Sequence, residues 1–70
     1  MRPQQQFGAN LRSLRLAAGL SQMQLGDRAN LHFSEISRLE RGLREPRLMT
    51  VVRLARALGV PPAALLADIG

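Results

Sequence analysis

Residues 21–42 read SQMQLGDRANLHFSEISRLERG, and their pattern predicts two short helices joined by a turn at Asn30. Ser21 carries a hydroxyl suited to accept the free N–H groups at a helix start, so it caps a helix over Gln22 to Ala29. Leu25 and Ala29, at i and i+4, face inward, with Gly26 between them. Asn30 tolerates the left-handed backbone of a sharp reversal better than other non-glycine residues. Ile36 and Leu39, with Leu43 a turn further on, supply the inward face of a third helix over Phe33 to Arg41, which Gly42 ends.

The same spacing continues on both sides. Phe7, Leu11, Leu14 and Ala18 predict a first helix from about Gln5 to Ala18, stopped by Gly19, after which Leu20 turns inward. Leu48, Val51, Leu54, Ala55 and Leu58 predict a fourth helix ending before Gly59, and Pro61-Pro62 opens a short fifth one through about Ala67. β-Branched and aromatic residues are scarce, and no alternating run is long enough for a strand. The expected fold is all-α, with five helices in one domain over residues 7–67, a flexible polar lead over residues 1–6 and a tail over residues 68–70.

Seventy residues make one domain at most, with a small core. Cysteine is absent, so neither a disulfide framework nor a thiolate metal site supports the fold. The N-terminal Met1-Arg2-Pro3-Gln4-Gln5-Gln6 has no apolar segment of the kind a signal peptide carries, and no run is long enough for a membrane span, so a soluble, cytoplasmic protein is expected. The formal charge is +5 and all ten basic residues are arginine. Arginine's planar fork of donors matches phosphate oxygens and guanine edges, which points to a polyanion partner. A genome rich in G and C also puts arginine in place of lysine, so charge alone leaves both explanations open.

Two helices around a turn at Asn30 match the helix-turn-helix pattern, in which one helix crosses the DNA backbone and the next lies in the major groove. Gly26 is small where the two helices cross. The wider run of Leu11-x-x-Leu14-Arg15, Gly19-Leu20-Ser21-Gln22, Ile36-Ser37-Arg38-Leu39-Glu40-Arg41-Gly42, Pro46 and Leu54-Ala55-Arg56-Ala57-Leu58-Gly59-Val60 resembles the Cro/C1-type (XRE-like) family of regulators. That resemblance covers roughly residues 7 to 67. It implies a lambda-repressor-like domain that binds double-stranded DNA, often as a homodimer on a palindromic operator.

The resemblance also implies roles for particular residues. Phe33, Ser34, Ser37 and Arg38 fall where the family's recognition helix faces base edges, and their spacing of i, i+1, i+4 and i+5 puts them on one helical face. Arg38 is the best base reader among them, able to hold guanine O6 and N7 together, with a phosphate contact as its alternative. Phe33 cannot hydrogen-bond, so it reads a thymine methyl or shape, folds back on its own domain, or meets a protein. Gln22 matches a glutamine that contacts a phosphate at the start of helix two. His32 stands where a Ser or Thr cap is usual and caps less well; it is read as an exposed side chain or a phosphate contact. Arg41, Arg44 and Arg47 flank the loop that follows the sugar-phosphate backbone, with Glu45 weakening the field among them. Arg12 adds a further phosphate contact, whereas Arg53 and Arg56 are read as solvated charges. Arg15 and Glu40 match a pair that ties helix one to the end of helix three, expected as a partly buried, bidentate salt bridge. Leu65, Leu66 and Ile69 either form a dimer interface or close the core.

The resulting expectation is a sequence-specific DNA-binding transcriptional regulator of repressor type, needing no cofactor. Its alternative is the same fold used as an antitoxin, with a toxin as partner, or as a protein-interaction adaptor. Phe33 and Glu35, poor neighbours for a phosphate, motivate that alternative. One histidine, no cysteine and five scattered acids offer neither a nucleophile with its base nor a metal shell, so an enzyme is not expected.

Overall fold

A computed structural model describing residues 1–70 shows five helices and no strand: α1 (Pro3–Ala17), α2 (Gln22–Ala29), α3 (Phe33–Glu40), α4 (Leu48–Leu58) and α5 (Pro62–Leu65). The boundaries of α2 are set by its caps. Ser21 Oγ accepts the Gln24 backbone N–H at 3.0 Å, and Gln24 Oε1 accepts the Ser21 N–H at 2.9 Å, so each satisfies the other's free donor. At the other end Asn30 takes the left-handed conformation (φ 57°, ψ 47°), and the Leu31 N–H returns to the Gly26 carbonyl at 2.8 Å. The chain reverses there as expected.

The N-terminal lead departs from expectation. Residues 3–6 belong to α1 rather than to a loose segment. Pro3 sits at the first helical position, where its missing N–H costs nothing and its fixed φ suits the helix. Gln5 Oε1 accepts the Arg2 N–H at 3.0 Å, capping the start with a side chain three residues on. The far end of α1 is one residue shorter than expected, and Ala18 is exposed.

Eleven buried apolar side chains form the core, including Phe7, Leu11, Leu25, Ile36, Leu39, Leu54 and Leu65, all at 1% exposure or less. Of the expected inward residues, Leu14 and Leu58 pack partly buried against it, and Ala18, Leu43 and Leu48 are exposed. Leu43, 64% exposed, follows the end of α3 at Glu40, because Gly42 in the left-handed region (φ 72°) swings the chain away. Leu48, 79% exposed, is the first residue of α4 and lies before the helix turns its Val51–Leu54–Ala55 stripe inward. The fifth helix is a single turn, shorter than the expected run to Ala67.

α3 packs against both α1 and α2, while α2 also meets α4, and α5 closes the domain against α1 and α4. Glycine permits the two closest approaches. A Cβ at Gly8 would collide with the Leu39 carbonyl oxygen and lie 2.6 Å from that of Glu40. One at Gly26 would lie 2.5 Å from the Leu31 carbonyl oxygen. The first clamps the C-terminal end of α3 on α1, and the second lets the α2–α3 turn close.

Candidate nucleic-acid interface

α3 is fixed from behind by a charged contact. Arg15 on α1 donates from Nε to Glu40 Oε2 at 2.5 Å, from Nη2 to Oε1 at 3.0 Å and from Nη1 to the Leu20 carbonyl at 2.9 Å. Both side chains are sealed from solvent, at 7% and 3% exposure. The expected partly buried, bidentate bridge is therefore present. Hydrogen bonding to Glu40 holds the Arg15 guanidinium above its ordinary pKa, against the opposing effect of burial. No buried side-chain nitrogen or oxygen lacks a partner, which a buried ion pair requires if it is not to destabilise the fold.

Gln22 joins this network, its Nε2 donating to Glu40 Oε1 at 3.1 Å. The half-buried side chain thus faces the brace with one amide hydrogen. Its second amide hydrogen and the Gln22 and Met23 backbone N–H groups at the start of α2 remain for an outside acceptor.

On the side of α3 away from the buried Ile36 and Leu39, Phe33 and Arg38 are exposed, while Ser34 and Ser37 are half-buried. Phe33, at 44% exposure, has not folded into the core. Its ring lies against that of His32, with centroids 4.7 Å apart and planes 31° apart. Met23, 58% exposed on α2, borders the same shallow crevice with Leu31.

His32 is exposed, as read from the sequence, and does a further job. It caps α3: Nδ1 accepts the Ser34 backbone N–H at 3.1 Å. The imidazole nitrogen holds the place a Ser or Thr oxygen would take, because the extended backbone of His32 (φ −67°, ψ 143°) folds the ring back over the first turn.

Arg12, Arg41 and Arg47 are exposed and have no acidic partner. Arg44 Nη1 lies 3.4 Å from Glu35 Oε1, so part of its charge is balanced on its own surface. Arg53 and Arg56 are exposed on α4, as read from the sequence.

The three apolar residues near the C terminus do not act alike. Leu65 is fully buried and belongs to the core, so it offers no surface to a second molecule. Leu66 is 45% exposed and Ile69 half-buried. They line a shallow groove with Pro3, Phe7, Pro46 and Leu48. Asn10, not singled out in the sequence, positions this end: Nδ2 donates to the Leu65 and Ala67 carbonyls at 2.9 and 2.8 Å, and Oδ1 accepts from Gln6 Nε2 at 2.9 Å. Its only signal was a polar residue on the inward side of α1. Gly8 had a clearer one, since glycine inside a helix costs about 1 kcal/mol against alanine and usually has a packing reason.

No helix is long and apolar enough to cross a membrane, and no three His, Cys, Asp or Glu residues gather where they could hold a metal. A braced helix with an open outer face, beside unpaired arginines, defines a helix-turn-helix domain. Residues 6–68 match the helix-turn-helix domain family. The control protein C.BamHI of Bacillus amyloliquefaciens is 39% identical over 61 residues, covering 86% of this chain and 75% of that one. The structure of the restriction-modification controller protein C.AhdI from Aeromonas hydrophila superposes with a TM-score of 0.87 at 40% identity, covering 89% and 94% of the two chains. The clp gene regulator ClgR from Corynebacterium glutamicum gives 0.89 at 29% identity, over 94% and 86%. The chain belongs to the Cro/C1-type helix-turn-helix family. It is a DNA-binding transcriptional regulator, and its work is binding rather than catalysis.

Proposed function

We propose that the chain represses transcription by binding a palindromic operator as a two-fold dimer, with α3 of each copy in the major groove. The observation that carries this reading is the two-sidedness of α3. Ile36 and Leu39 hold its inner side and the Arg15–Glu40 bridge fixes its C-terminal end, while Phe33, Ser34, Ser37 and Arg38 share the other face. In that position Arg38 holds a guanine edge, Ser34 and Ser37 bond to neighbouring bases, and Phe33 meets a thymine methyl. Gln22, the α2 N terminus, Arg12, Arg41 and Arg47 take phosphates; Arg44 joins them as it exchanges Glu35 for a phosphate, and His32 contributes through Nε2.

Leu48, Leu66 and Ile69 form the proposed dimer surface. An apolar groove beside α5 supports it. So does the domain's size of 29 × 22 × 21 Å, small enough for two copies side by side to set their α3 helices about 34 Å apart, one turn of DNA. The likeness to two control proteins supports a regulator.

Binding to an operator duplex, measured across a series of salt concentrations, tests the reading. The logarithm of the affinity falls against the logarithm of salt with a slope of about −0.9 per phosphate neutralised, and Arg41→Gln and Arg47→Gln each reduce that slope by about one. A salt-independent association contradicts it. The alternative, a protein partner such as a toxin on the Phe33–Met23 patch, draws support from the exposure of both side chains. The Arg44–Glu35 pair weakens one reason for it, because the negative charge on α3 is already compensated.

A further inference from the structure

His32 Nδ1 meets two groups of Ser34. The backbone N–H is 3.1 Å away and the hydroxyl oxygen 2.7 Å. A backbone N–H only donates. In accepting that N–H, Nδ1 acts as the bare ring nitrogen, the tautomer that carries its proton on Nε2. A bare nitrogen has no proton to give, so in the 2.7 Å contact it is the Ser34 hydroxyl that donates. Stacking of the His32 ring on Phe33 at 4.7 Å helps to hold this orientation.

A serine hydroxyl has one proton and two acceptor lone pairs, and free serine suits base donors and acceptors alike. With the proton committed to His32, only lone pairs remain. We infer that His32 is a positioning residue that makes Ser34 an acceptor, so that Ser34 selects a base carrying an exocyclic amine, adenine N6 or cytosine N4. A carbonyl at the same place, guanine O6 or thymine O4, meets lone pairs with lone pairs and is rejected. The inference rests on the proposed placement of Ser34 in the major groove. It concerns an uncommon pairing, a histidine cap followed two residues later by a hydroxyl, that gives the N terminus of α3 a fixed polarity.

The test uses the full chain and a duplex enriched by it from a random pool. Ser34→Ala identifies the base position that Ser34 reads. At that position the amine is exchanged for a carbonyl, hypoxanthine for adenine or uracil for cytosine, with the opposite base adjusted. The exchange lowers affinity by about tenfold for wild type. His32→Asn, whose side-chain oxygen caps the helix and accepts the same hydroxyl proton, keeps that discrimination. His32→Ala frees the proton and reduces the discrimination below about threefold. Loss of the cap alone weakens both duplexes equally and leaves their ratio unchanged, so an unchanged ratio for His32→Ala overturns the inference. A wild-type preference for the carbonyl overturns it too, as does a Ser34→Ala variant with unaltered base preference. In these cases DNA recognition by α3 stands. If wild type enriches no duplex, the proposed groove placement fails first, and the inference with it.

Discussion

Arg15 and Glu40 meet through two parallel hydrogen bonds, from Nε and Nη2 to the two carboxylate oxygens, across the buried seam between α1 and α3. Each neutralises a charge that the other could not leave unpaired. Removing one partner is therefore costlier than removing both. Arg15→Met or Glu40→Leu alone is expected to cost about 3–5 kcal/mol, and the double variant to recover much of it. Urea unfolding followed by circular dichroism checks this; additive single losses contradict it. Because the folded-state pKa of Arg15 is raised, its contribution is complete below the ordinary arginine range and lost only as pH rises through the folded value. The penalty of Arg15→Met on the arginine side thus stays flat across neutral pH.

Gly8→Ala drives a methyl group into the carbonyls of Leu39 and Glu40, which are backbone atoms and cannot swing aside. The expected loss is about 1–3 kcal/mol, although alanine is the better helix former. A thermal melt that rises on substitution would show that α1 and α3 do not approach as described.

Much of the fold was legible in the sequence where a cap and a periodic apolar face coincide. α2 begins after Ser21 and ends at Asn30, and α4 ends before Gly59, as the residues imply. Legibility failed where apolar residues lie just outside a helix or on its first turn, because periodicity cannot tell the last inward position from the first outward one. Leu43 and Leu48 are such residues. It failed again where a side chain does an uncommon job: the cap made by His32, the start set by Pro3 and Gln5, and the carbonyls held by Asn10. The brace of Arg15 and Glu40 came from family resemblance, since no local pattern links residues on separate helices.

Leu65 and Leu48 separate folding from assembly. Leu65→Ala opens a cavity in the core and is expected to cost about 2–5 kcal/mol. Leu48→Glu, at a position 79% exposed, leaves the unfolding midpoint nearly unchanged and shifts the chain toward monomer in analytical ultracentrifugation. A dimer unaffected by Leu48→Glu and Leu66→Glu together places the interface elsewhere.

Glu35 and Arg44 predict a gain. Glu35→Gln removes a negative charge from α3 and releases Arg44 from its 3.4 Å contact. DNA affinity at low salt rises, and the salt slope steepens by about one phosphate. Unchanged affinity and slope would mean that Arg44 takes no part.

The most direct measurement is selection from a random pool of duplex DNA by wild type and by Arg38→Ala, followed by sequencing. Wild type is predicted to enrich a two-fold symmetric motif with a guanine in each half-site. Arg38→Ala is predicted to lose that guanine, at about 1–3 kcal/mol of discrimination, while retaining the rest. An unenriched pool, or a motif that Arg38→Ala leaves unaltered, contradicts the reading of α3 as the element that recognises DNA.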